Sequence, residues 1–375
     1  MNNQIYWLWL SESAKISRHK QHALLKEFGT AENIYNASLS DYTSLDFLTT
    51  AEINALCSKD TAAAEQSLCN LEKIGGWILT PDMPDYPDVL KTIYDPPTVL
   101  YCRGMRVDLN NTLCIASVGT RKCTTYGKNT AYMLAKSLGS QGVTIISGMA
   151  LGIDAASHSG ALAAHAPTVA VIGSGIDEPY PRSNARLMEE IAKGGMIMSE
   201  YPLGIKPVKY HFPERNRIIS GISQGTLVIE ADIKSGSLIT AKLAYDQGRD
   251  VFAVPGNINS IYSKGTNYLL KDGAHLVTCD EDIMSYYRYD YADRLASAAE
   301  SREKIFKAEF ERSIPNYPSG TPEAIISKII SSEPMNIDKI CEKSRLDVGC
   351  VNSTLLLMEL SGKVTRLPGN FYELK

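Results

Sequence analysis

Through the middle of the chain, short apolar runs alternate with longer stretches of helical periodicity. The runs are Leu113 to Val118, Val143 to Ser147, Thr168 to Ile172, Met196 to Ser199, Thr226 to Glu230 and Val251 to Val254. Helical patterns of about ten or more residues separate most of them. Such alternation predicts βαβ units and a buried parallel sheet, an α/β domain of doubly wound, extended Rossmann-like type over residues 75–288.

The flanks read differently. From Met1 to Leu71 the pattern is of short helices. Ala23, Leu24, Leu25 and Phe28 share helical spacing, Gly29 stops that helix and Thr30 caps the next. This predicts a small helical domain over residues 1–74. From Gly75 to Met105 Pro81, Pro84, Pro87, Pro96 and Pro97 crowd together, which predicts an extended connection, with Val99 to Tyr101 as a strand. A charged, helical stretch follows Tyr287, and residues 289–320, with the Pro/Ser/Gly segment from Ser313 to Pro322, read as a linker. The tail, 321–375, predicts helices with an apolar face of Ile325, Ile326, Ile329 and Ile330. A hairpin follows around Pro368-Gly369, bearing Val364 and Phe371. Helices followed by a hairpin predict a winged helix.

Composition narrows the picture. The chain has 375 residues, 44% hydrophobic and 21% charged, enough for a sizeable core in two or three domains. The eight cysteines form no C-x-x-C pair and no cluster of zinc spacing, as expected of reduced thiols in a cytoplasmic protein, and no metal site is expected. No apolar run reaches the length of a membrane span, so no membrane association is expected. A net charge of −4 argues against coating duplex DNA by bulk electrostatics and leaves room for a local basic groove.

Open α/β sheets bind ligands beyond the carboxyl ends of their strands. The first strand leads into Gly119-Thr120-Arg121 and then a helix. Gly119 permits a tight turn, the helix N-terminus favours an anion, and Arg121 adds a planar fork for phosphate or base; an ordinary βα turn reads the same way. There is no G-x-G-x-x-G here, and the second strand ends in Ser147-Gly148 with no acid placed for a ribose. Neither a dinucleotide nor another cofactor is therefore expected. Arg182 follows the third strand. After the fourth comes a cationic run with interleaved rings: Lys206, Lys209, Tyr210, His211, Phe212, Arg215, Asn216 and Arg217, opposed by Glu214. Cations on phosphates with rings on unpaired bases fit single-strand recognition, and a solvated basic loop is the plainer alternative. Ser235-Gly236-Ser237 opens another helix on the same rim, just after Glu230 and Asp232, two acids suited to a metal or a sugar. His158 reads as a structural hydrogen bonder, with no Ser or Cys partnered to it for nucleophilic catalysis.

The ordered set of motifs resembles the DNA-processing protein A (DprA/Smf) family. The matching residues are Val118-Gly119-Thr120-Arg121, Ser147-Gly148, Gly152-Ile153-Asp154, His158, Tyr180-Pro181, Ser199-Glu200, Phe212 with Arg215-Asn216-Arg217, Ser235-Gly236-Ser237, Thr240-Ala241 and Val254-Pro255-Gly256, spread over about residues 82–282. The resemblance implies a protein, not an enzyme, that binds single-stranded DNA without sequence specificity, protects it in natural transformation and helps to load the RecA recombinase. It implies DNA contacts at Arg121, Lys209 and Phe212, a front domain of SAM or helix-hairpin-helix type, and a winged-helix tail. It also implies a homodimer formed through about residues 265–278, where Tyr268, Leu269, Leu270 and Leu276 supply apolar area that core packing could equally use. The sheet also looks like that of phosphoribohydrolase-type nucleotide-processing enzymes. Their Pro-Gly-Gly-x-Gly-Thr loop is replaced here by Gly173-Ser174-Gly175 and Ser235-Gly236-Ser237. A scaffold that recruits recombination proteins is a third reading.

Overall fold

Local signals set the first helices of the computed structural model, which describes residues 3–14, 16–295, 320–330, 335–367 and 369–374. They are α1 (Asn3–Leu8), α2 (Arg18–Phe28), α3 (Ala31–Asn36), α4 (Leu39–Thr43), α5 (Thr50–Ser58) and α6 (Ala62–Lys73). Gly29 ends α2 at φ +82°, and the Thr30 side chain accepts from the Asn33 amide. Ser38 with Asp41 and Thr49 with Glu52 form reciprocal capping boxes, each satisfying amides that a helix start leaves unpaired.

Nine strands form one sheet. They are β1 (Gly76–Leu79), β2 (Leu100–Gly104), β3 (Cys114–Val118), β4 (Thr144–Ser147), β5 (Thr168–Ile172), β6 (Met196–Ser199), β7 (Gly225–Val228), β8 (Asp250–Ala253) and β9 (His275–Leu276). Their spatial order is β1-β2-β6-β5-β4-β3-β7-β8-β9. From β6 to β9 every pairing is parallel, whereas β2 runs antiparallel to β6 and β1 antiparallel to β2. The chain builds outward from β3 through β4, β5 and β6, then returns to lay β7 on the other side of β3. That reversal is the topological switch point of a doubly wound sheet, where a crevice opens beyond the carboxyl ends of β3 and β7.

The connecting helices are α7 (Asp88–Lys91), α8 (Thr125–Ser140), α9 (Ile153–Ala163), α10 (Ala185–Gly194), α11 (His211–Ile222), α12 (Gly236–Asp246), α13 (Lys264–Lys271) and α14 (Glu281–Tyr287). Side chains of β3 alternate between two cores. Cys114, Ala116 and Val118 join Ile218, Ile219 and Ile222 of α11 and Ala241 of α12, while Ile115 joins Leu134 and Leu138 of α8 and Ile283 of α14. A third core unites the front helices with the β5–β6 side of the sheet: Trp7, Trp9 and Leu24 cluster with Tyr101, Ala170, Ile172 and Ile197. Residues 1–300 form one compact unit, so residues 1–74 share a core with the sheet.

Two sequence expectations need correction. The proline-rich connection carries β1, which pairs residue for residue with β2 from Gly76–Arg103 to Leu79–Leu100. The prolines follow the apolar run Trp77-Ile78-Leu79 and spare its amides. Tyr86 between them is buried and donates its hydroxyl to the Pro97 carbonyl at 2.7 Å. Leu276, expected as interface area, lies on the edge strand β9, which pairs parallel with β8 through Phe252–His275 and Ala253–Leu276. The charged stretch beyond residue 295 and the linker to residue 319 lie outside the described residues.

The second unit is a winged helix. Thr321 caps α15 (Pro322–Ile329), followed by β10 (Met335–Asn336), α16 (Ile337–Ser344), α17 (Val348–Leu360), β11 (Val364–Leu367) and β12 (Phe371–Leu374). The strands pair antiparallel in the order β10-β12-β11. Ile326, Ile330, Ile340, Val351, Leu355 and Met358 form its core with Val364 and Tyr372.

Candidate nucleic-acid interface

At the switch point lies a groove of about 730 Å³. Three segments wall it: the loop from β3 into α8, the approach to α11, and the start of α12. Ten of the candidate residues meet in it: Gly119, Thr120, Arg121, Lys209, Phe212, Arg215, Asn216, Ser235, Gly236 and Ser237. Ser147, Gly148, Arg182 and Arg217 do not line it.

The β3 loop is held by backbone bonds. The Thr120 amide donates to the Glu230 carbonyl at 2.8 Å, which continues the β3–β7 pairing past the strand ends. Glycine at 119 is a matter of space rather than of a special turn. A Cβ there would lie 2.6 Å from Ile153 Cγ1 and 2.9 Å from the Glu230 carbonyl oxygen. The Glu230 carboxylate accepts from the Thr124 amide at 2.9 Å and from its hydroxyl at 2.6 Å. This acid therefore caps the approach to α8. Among the described residues, no cluster of His, Cys, Asp and Glu could hold a metal ion.

Arg121, exposed on this loop, lies over the half-buried Phe212 with its guanidinium carbon 5.0 Å from the ring centroid. Tyr180 approaches the same ring at 5.3 Å between centroids. Lys209 stands exposed just before α11 and, among the described residues, makes no ion pair or side-chain hydrogen bond. On the facing wall Ser235 caps α12, its hydroxyl accepting from the Ser237 amide at 3.3 Å. A Cβ at Gly236 would meet nothing within 4 Å, so bare backbone borders the groove at a helix N-terminus. The arrangement offers cations, a ring platform and helix-end amides along one cleft, a set that suits a phosphate backbone with stacked bases.

The other candidates have structural work. Arg215 is buried, donating Nη1 to the carbonyl oxygens of Gly148, at 2.9 Å, and Val171. Burial lowers its pKa to about 10, a shift that the nearby Asp154 opposes. A Cβ on Gly148 would sit 2.5 Å from that same nitrogen, so the glycine makes room for the guanidinium. Ser147 is buried and donates to the Ser117 carbonyl at 2.6 Å. Arg217 points to the opposite side of α11, bound to Glu200 at 2.7 Å and Asp95 at 3.2 Å. Arg18 of α2 joins Glu200, Glu214 and Asp95 in the same network. Burial alone would raise the pKa of Asp95, but His22, with Nε2 3.6 Å away, and the charges of Arg217 and Arg18 hold it well below the usual carboxylate range. Arg182 is exposed outside the groove. Of the apolar patch, Leu269 is buried and Leu270 packs on the core, whereas Tyr268 and Leu276 are exposed. Lys122, Ile239, Ile261 and Tyr262 also line the groove. Lys122 follows Arg121 directly, and the exposure of Ile239 and Ile261 had no trace in the pattern.

His158 is fully buried, with Nδ1 2.7 Å from the Thr168 hydroxyl. That hydroxyl spends its one proton on the Ile145 carbonyl, so Nδ1–H is the donor and Nε2 is left bare and buried. Burial, reinforced by the charge of Arg215, depresses its pKa to about 3.

Strand order β5-β4-β3-β7-β8-β9, a cationic switch-point groove without a dinucleotide loop, and a separate winged helix define a Rossmann-like protein with an appended winged-helix module. Residues 77–288 match the family described as DNA recombination-mediator protein A, and residues 314–370 match the DprA winged helix domain. The chain is 35% identical to Protein Smf of Escherichia coli (strain K12) over 329 residues, 88% of this chain and 85% of that one. The X-ray structure of DNA processing protein A (DprA) from Streptococcus pneumoniae superposes with a TM-score of 0.67 at 33% identity, covering 76% of this chain and 97% of that one. DNA processing protein A of Helicobacter pylori, described for its single-stranded DNA binding mode, superposes with a TM-score of 0.52 at 34% identity, covering 57% and 97%. The chain belongs to the DNA recombination-mediator protein A family, that of the DprA and Smf proteins. No helix among the described residues is long and apolar enough to cross a membrane.

Proposed function

We propose that this protein binds single-stranded DNA in the switch-point groove, without sequence preference, and through that contact shields the strand and helps to load the RecA recombinase in natural transformation. The observation that carries the reading is Arg121 laid over Phe212 with Lys209 beside it. A guanidinium plane and a ring can stack on any base, and both cations can hold phosphates, so the site needs no base-edge code. The Helicobacter pylori relative, 34% identical, supports the same ligand. On this reading the chain is a cytoplasmic binding protein that hydrolyses nothing. It needs no ATP, NAD or divalent ion, since the first βα loop lacks the G-x-G-x-x-G fingerprint and the second strand ends in Ser147-Gly148 without an acid placed for a ribose. Exposed Tyr268 and Leu276 supply the surface of a homodimer, which would align two grooves for one strand.

The test is a gel-shift titration of an unstructured oligonucleotide with the wild-type chain and with the Arg121→Ala/Lys209→Ala double variant, in chelator and without nucleotide. Wild type should bind, and the double variant should lose at least about tenfold, roughly 1.4 kcal/mol. Unchanged affinity in the double variant would move the site elsewhere.

A further inference from the structure

Beside the groove lies a second cavity, of about 510 Å³, between the first turns of α8 and α9. Lys128, Asn129 and Tyr132 of α8, Ser159 of α9 and Asn184 supply its polar wall, and Leu151 and Leu187 much of its apolar lining. No carboxylate lines it. Among the described residues the side chains of Lys128, Asn129 and Tyr132 make no hydrogen bond or ion pair. A cavity of this size accommodates a small ligand, and its one charge is positive.

The two cavities share a wall, the turn from Ala150 to Gly152. Ala150 and Asp154 face the groove, and Leu151, Gly152 and Ala155 face the second cavity. The turn is seated on the loop that carries Arg121. Gly152 has φ +81°, and a Cβ there would lie 2.5 Å from the Thr120 carbonyl oxygen and 2.7 Å from that of Arg121. The Ile153 amide donates to the same Thr120 oxygen at 3.4 Å. Leu151, 45% exposed, belongs to this shared wall.

We infer that the second cavity is an additional nucleotide subsite. A single strand leaving the groove continues past Leu151, with a phosphate beside Lys128 and a base against Tyr132 and the apolar lining. The inference rests on the single-strand reading above and adds to it a direction for the strand and a longer footprint.

The experiment is fluorescence anisotropy with labelled oligothymidylates from about 4 to about 16 nucleotides, using wild type, Lys128→Glu and Ser159→Trp. Lys128 is exposed, so its reversal spares the fold, and tryptophan at 159 fills the cavity. For the shortest oligonucleotide that binds, both variants should match wild type within about twofold, which also reports intact folding. For the long ones both should lose roughly tenfold, with the log–log salt slope of Lys128→Glu shallower by about 1. Variants that follow wild type at every length would overturn the subsite. So would variants that lose short and long alike, since the residues would then act on the first groove. Absence of binding by wild type at every length would overturn the single-strand reading, and the subsite with it.

Discussion

Arg121 and Phe212 lie 91 positions apart in sequence and meet with the guanidinium carbon 5.0 Å from the ring centroid. One follows β3, the other opens α11, and the switch point brings them together. Phe212 thus holds Arg121 across the groove, and the two should act as a unit. Arg121→Ala and Phe212→Ala should each weaken single-strand binding by about 1–3 kcal/mol. The double variant should cost little more than either single one. A double-mutant cycle by anisotropy checks this, and additive losses would show that each contacts DNA independently.

Gly148 and Arg215 should behave as stability residues. Gly148→Ala would push a methyl against a guanidinium that is hydrogen-bonded to the carbonyls of Gly148 and Val171, at a cost of about 1–3 kcal/mol. Arg215→Met leaves two carbonyls and Asp154 without their cation, and should cost about 3 kcal/mol or more. Urea unfolding at pH 7 measures both. Wild-type stability with lost DNA affinity would return these residues to the ligand.

His158 links stability to pH. Its folded pKa, about 3, lies below its ordinary value of 6.5, so the unfolded chain takes up a proton that the folded chain refuses. The stability it contributes is complete above about pH 6.5 and declines as pH falls from there toward 3. His158→Gln should flatten the dependence of the urea midpoint between pH 7 and pH 5. An equally steep dependence in the variant would place the titrating group elsewhere.

Much of this was legible in the sequence, for identifiable reasons. β5 and β6 fall at Thr168–Ile172 and Met196–Ser199 as their apolar runs indicate, and the tail's hairpin falls at β11 and β12, with Val364 and Phe371 on its strands. Buried strands and a hairpin carry their own signals. Polar residues do not announce their depth. Arg215 and Arg217 look like surface cations beside Lys209, yet α11 turns one under Gly148 and the other toward Glu200 and Asp95. Likewise Leu269 and Leu276 look alike as apolar residues, and only packing separates the buried one from the exposed one. Gly148 is the informative case, because its reason is a neighbour 67 positions away.

The winged helix should contact protein rather than DNA. From Thr321 onward seven cations balance seven anions. The outward side of α17 shows Val348, Leu356, Leu357 and Leu360, with Asn352 as a base-reading residue type. A neutral, apolar face lacks the phosphate attraction that dominates duplex affinity. Removing residues after about 315 should leave single-strand affinity within a few-fold. A loss of tenfold or more in the folded, truncated protein, about 1.4 kcal/mol, would show that the tail helps to hold DNA.

The central claim is a switch-point groove that takes an unpaired strand, and a competition between single-stranded and blunt duplex oligonucleotides at two salt concentrations tests it most directly. The groove's cations on a chain of net charge −4 predict a clear preference for the single strand. With about four phosphates neutralised, the log–log salt slope should be roughly −3. Equal affinity for the blunt duplex would contradict the account.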